Sequence, residues 1–142
     1  MQRLIAIVVR VVVVGGAGLV TGWLVNAMTA KGGGANIGAG LISFLVLLLV
    51  SLVWGTIDGK RWKSVSPIML VWFVVALVVA ISVVVGIQFH GAGLDTSVLR
   101  SDLMSVSPFI FGLVFVPAAI GGSLAARLSP KGARGAKRGT KV

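Results

Sequence analysis

The chain has no cysteine in its 142 residues and only three acidic residues, Asp58, Asp95 and Asp102. Without cysteine there is no disulfide, no thiolate metal site and no cysteine nucleophile, and the redox compartment leaves no trace in the sequence. The one histidine, His90, shares its segment with Asp95, and a lone His with one acid makes no metal site. An interfacial position suits His90 better. There is no Ser–His–Asp set, no paired carboxylates and no phosphate-binding glycine loop. An enzyme is not expected, and no cofactor is implied.

What the chain has is apolar sequence. Hydrophobic residues make up 57% and charged residues 11%, with a mean hydropathy of +1.08. That leaves too little polar surface to cover a water-soluble domain, and the apolar residues fall in long blocks. Four stand out, at about residues 4–28, 37–57, 67–88 and 103–128. Each is near the ~20 residues a helix needs to cross a ~30 Å hydrocarbon core. The first block has a basic start and ends in "NAMTA", as a secretory signal does, but its apolar run exceeds the usual ~7–15 residues. The valine runs at 11–14 and 83–85 favour strands in water; in lipid a lone strand leaves its backbone unpaired, so length decides for helix. The expectation is an all-α, four-helix transmembrane bundle over residues 1–128. A basic tail, residues 129–142, "SPKGARGAKRGTKV", has the composition of a flexible segment.

The net charge of +10 is placed to suit a membrane surface, not nucleic acid. Eleven Lys and Arg flank one side of the blocks (Arg3, Arg10, Lys60, Arg61, Lys63 and six from Arg127 to Lys141), against Lys31 and Arg100 on the other. By the positive-inside rule both termini and the central connection are cytoplasmic, in a cell (inner) membrane. The tail cations Lys131, Arg134, Lys137, Arg138 and Lys141 are expected to attract anionic lipid head groups by roughly 1 kcal/mol each. "SVSP" occurs at 64–67 and again at 105–108. Serine accepts from free amides at a helix start and proline fits the first turn, so both copies are expected to open helices.

Small residues recur at helical spacing. Gly15, Gly18, Gly22 and Asn26 share a face of the first block, Ser51 and Gly55 of the second, Ala76 and Ala80 of the third, and Ala118, Gly122 and Ala126 of the fourth. Small side chains let helices approach closely where lipid offers no hydrophobic drive. The expected use is packing within one bundle, with a homo-oligomer seam along Gly18 and Gly22 as the alternative. Pro117 removes a hydrogen bond in mid-helix and is expected to kink the fourth block. Arg10 is placed far round from the Gly18 face, close enough to the end of its block to snorkel to the interface.

Asp58 lies in "WGTIDGKRW" at the end of the second block, bracketed by Trp54 and Trp62. "Asp-Gly" before basic residues reads as a turn. In partly wet surroundings a pair with Lys60, Arg61 or a neighbouring helix end contributes about 0–1 kcal/mol, so Asp58→Asn is expected to be nearly silent. The alternative makes Asp58 a cation gate at the cytoplasmic mouth of a path between helices.

"GLISFLVLLLVSLVWGTIDGKR" in the second block and "VFVPAAIGGSLAARL" in the fourth resemble small actinobacterial membrane proteins, the bacterial four-helix drug/metabolite transporter-like group. The resemblance covers about a third of the chain. It implies a four-helix fold and export of a small molecule. Related small multidrug transporters use a membrane-embedded glutamate in the first helix; the first block here has no acid. Two functions follow: a small transporter-like protein, or an accessory subunit packed against a larger membrane complex.

Overall fold

The computed structural model describes residues 2–29, 37–89 and 95–129. The side chain of Asn26, the tail cations and His90 lie outside what is described. Four helices account for nearly all of it: α1 (Gln2–Thr29), α2 (Ile37–Trp62), α3 (Val65–Phe89) and α4 (Thr96–Leu128). All four are long and apolar enough to span a bilayer, over Leu4–Leu24, Gly40–Trp62, Val65–Gly86 and Thr96–Leu128. There is no strand among the described residues, and both valine runs are helical. This is a four-helix bundle of the multi-pass membrane class.

Two helices run further than hydropathy suggests. α2 continues through Asp58 and Gly59 to Trp62, so the expected Asp-Gly turn does not exist. The chain reverses instead at Lys63, whose φ of 50° is left-handed and whose N–H donates to the Gly59 carbonyl at 3.1 Å. Only Lys63 and Ser64 separate α2 from α3. α4 begins at Thr96 rather than near Leu103, because Asp95 caps it. The Asp95 carboxylate accepts from the backbone N–H of Ser97 at 2.8 Å and of Val98 at 3.4 Å. A local cap of this kind starts a helix ahead of the apolar run.

The two "SVSP" copies therefore differ. Pro67 falls in the first turn of α3, which starts at Val65, but Pro108 and Pro117 are both inside α4. Pro117 leaves the Leu113 carbonyl without its helical donor, and α4 still runs on to Leu128.

Consecutive helices run in opposite directions, so α2 and α4 are parallel neighbours. Their seam is built from backbone. A Cβ on Gly55 would overlap the backbone of Ala118, 2.7 Å from its Cα, and one on Gly59 would strike the Gly122 carbonyl and the Ala125 methyl group at 2.8 Å. On the α4 side, a Cβ on Gly121 would lie 2.7 Å from the Leu52 carbonyl, and one on Gly122 2.7 Å from the side chain of Ile68. Gly55 and Gly59, one turn apart, thus face Ala118 and Gly122. α3 packs across α4 with Phe73 edge-on to Phe111 and Phe115. α1 rests on α2 and α3 and makes no contact with α4 among the described residues. Trp72, Val14, Val75 and Val114 are sealed at the centre, while Leu4, Leu19, Leu41 and Leu124 face outwards, as lipid-facing positions do.

Candidate functional site

Helix direction brings the start of α1, the end of α2, the start of α3 and the end of α4 to one end of the bundle. At ~1.5 Å per residue, Arg10 lies about 12 Å into α1, Asp58 about 6 Å before the end of α2 and Trp72 about 10 Å into α3. Three residues on three helices therefore arrive at similar depth.

They meet. The Arg10 Nε donates to Asp58 Oδ2 at 2.8 Å, and Arg10 Nη2 donates to Asp58 Oδ1, closing a two-point ion pair. Trp72 Nε1 donates to Asp58 Oδ2 at 3.0 Å. The remaining guanidinium nitrogen, Nη1, donates to the Ala6 carbonyl one turn back. The Trp62 ring covers the guanidinium, its centroid 5.1 Å from Cζ. Burial is nearly complete, with Arg10 5% exposed, Asp58 1% and Trp72 0%. Each charge is met by an opposite one, and the carboxylate by a third donor, which is what burial of an ion pair requires.

Two expectations are overturned. Arg10 does not snorkel: its side chain turns inwards to Asp58. The reason is helical phase, since Arg10, Val14 and Gly18 are spaced by four and drift only ~40° per step. Val14 is fully buried and Gly18 faces Leu47, with a Cβ there 3.3 Å from Leu47 Cδ2. Arg10 thus shares the inward face of α1 instead of lying far round from Gly18. Asp58 is likewise no wet turn residue; Lys60 and Arg61 are exposed, and of the expected partners it is the neighbouring helix that supplies one, Arg10 near the start of α1, 48 residues away. Of the other small residues, Gly55 and Gly122 meet across the α2–α4 seam, while Gly15 and Gly22 have no atom within 4 Å of an added Cβ. Ser51 is 0% exposed and its hydroxyl has no partner.

Beside the ion pair opens a cleft of about 860 Å³ between α1, α2 and α3. Ile5, Val9, Ile57 and Leu70 give it apolar walls, Trp54 and Trp62 aromatic ones, and Arg10, Asp58 and Arg61 its charge. Among the described residues no three His, Cys, Asp or Glu side chains come together to hold a metal. Among the described residues, those that line the cleft include no Ser, Thr, Cys or His.

No protein-family model, curated protein or solved structure matches the chain.

Proposed function

We propose that the chain is a small transporter-like membrane protein that takes a small molecule with an apolar part into the cleft between α1, α2 and α3, with both termini and the α2–α3 turn on the cytoplasmic side. The observation that carries this is the cleft itself. Its volume falls in the ~300–1,000 Å³ range of small-molecule sites, and it is built around a buried charge pair within the spans, where ionised side chains are costly and mark functional paths. The orientation follows from the asymmetry of Lys and Arg between the two sides. The transported species is moved without covalent chemistry.

The test uses the neutral fluorophore N-phenyl-1-naphthylamine and the protein in phosphatidylcholine nanodiscs. Trp54 and Trp62 line the cleft, so a probe seated there accepts energy from them. Saturable transfer is expected, and Ala6→Phe, which fills the wall, should abolish it. Non-saturating transfer that Ala6→Phe leaves unchanged overturns the reading. A large partner co-purifying in fixed ratio, without saturable probe binding, favours the accessory subunit.

A further inference from the structure

The cleft carries a sign. Both oxygens of Asp58 are engaged, Oδ1 by Arg10 and Oδ2 by Arg10 and Trp72. The acid in the cleft is thus neutralised by the arginine beside it. What remains is Arg61, which lines the cleft, is exposed and whose side chain makes no hydrogen bond or ion pair with another described residue. Lys60 and Lys63 stand exposed at the same end, and no acid besides Asp58 lies among the cleft's lining residues. An entering cation would have to displace Arg10 from a two-point pair and would face Arg61 as a like charge. An entering anion meets Arg61 at the rim and finds apolar wall beyond it at Ile5, Val9, Ile57 and Leu70.

We infer that this cleft binds an anionic amphiphile, with a phosphate- or carboxylate-type head group on Arg61 and an apolar chain between α1, α2 and α3, and that it rejects amphiphilic cations. This rests on the proposed function and names its ligand class. It departs from the cation gate that the sequence suggests for Asp58, because that carboxylate is already occupied. Trp62 links the two parts of the site. It lines the cleft and covers the guanidinium of Arg10, so a chain lying in the cleft shields the buried pair from water.

The experiment displaces the naphthylamine probe with two molecules that differ in charge and share a chain length, dodecyl phosphate and dodecyltrimethylammonium. Dodecyl phosphate should displace it at a concentration at least about tenfold lower, the scale of one charge-assisted hydrogen bond. Arg61→Gln should remove that preference. Lys63→Gln, the same loss of charge outside the cleft, should preserve it. Inorganic phosphate should displace nothing, because it has no chain. Replacing part of the phosphatidylcholine by phosphatidylglycerol identifies the source. Displacement by that lipid as well as by dodecyl phosphate makes the ligand a bilayer phospholipid, and displacement by dodecyl phosphate without it makes the ligand a single-chain molecule. Equal displacement by both amphiphiles, preference for the cation, or a preference equally sensitive to Lys63→Gln overturns the inference while saturable probe binding keeps the cleft as a binding site. Failure of the probe to bind saturably overturns both.

Discussion

Replacing Asp58 by Asn preserves the shape of the side chain and removes the charge that Arg10 faces. The guanidinium is then left 5% exposed, with the amide oxygen of the new Asn, the Ala6 carbonyl and the Trp62 ring as its partners, none of them an anion. Two unit charges ~4 Å apart attract by about 4 kcal/mol at an effective dielectric of ~20. Stranding one member of a buried pair costs about 3–5 kcal/mol. Asp58→Asn and Arg10→Met should therefore each destabilise by about 3–5 kcal/mol, a large part of the ~5–15 kcal/mol that holds a typical fold. The double variant should be far milder than the sum, within about 2 kcal/mol of the parent, because replacing both members of such a pair by uncharged groups is often near neutral. Unfolding by dodecyl sulfate in mixed micelles, followed by far-UV circular dichroism, gives all four corners of the cycle. Trp72→Phe should cost about 1.5–3 kcal/mol in the same assay through its lost bond to a charged acceptor. Single costs below about 1 kcal/mol that add to within ~0.5 kcal/mol would refute the buried pair and restore the wet turn read from the sequence.

Gly59→Ala sets a methyl group against the Gly122 carbonyl and the Ala125 side chain; the helices must part, at a cost of about 1–3 kcal/mol or more, whereas Gly22→Ala, with open space around it, should be harmless in the same unfolding assay. Ser51→Ala removes a buried hydroxyl that has no partner and should be neutral or stabilising by up to about 1 kcal/mol, read from the shift in unfolding midpoint. The Asp95 carboxylate has its pKa lowered first by the Ser97 hydroxyl and then by the backbone N–H groups of Ser97 and Val98. Its cap is therefore at full strength above the ordinary carboxylate range and fades as pH falls through the lowered value. Amide exchange at Ser97 and Val98, corrected for its intrinsic pH dependence, should lose protection on acidification; in Asp95→Asn that pH dependence should disappear.

Hydropathy was enough to count the helices, because a segment crossing lipid must satisfy its backbone within itself and therefore reads as one long apolar run. It was not enough to end them. α2 outlasts its apolar run because its last turns pack on α4 through Gly59, and α4 starts ahead of its run because Asp95 caps it. Gly55 and Gly122 were legible as small residues at helical spacing, but which helices they would join was not, since spacing carries no information about partners. Gly59 escaped notice because "Asp-Gly" has the grammar of a turn. Arg10 and Asp58 were visible as charges at the ends of neighbouring antiparallel helices, and matching their depths would have suggested the pair. Trp72 had no such signal: an indole in an apolar run reads as packing until its N–H is seen to have an acceptor.

The sequence distance between Arg10 and Asp58 bears on how the protein is made. Arg10 leaves the ribosome 48 residues ahead of its counter-ion, which at ~5–20 residues per second is an interval of about 2–10 s. Throughout it the first helix carries a cation that nothing in the nascent chain can neutralise, so the guanidinium must reach for the head groups. When the second helix enters, that arginine exchanges water and phosphate for a carboxylate. Snorkelling thus belongs to the unfinished chain and the ion pair to the finished one. Burial of Arg10 against Asp58 therefore requires the first two helices to be docked.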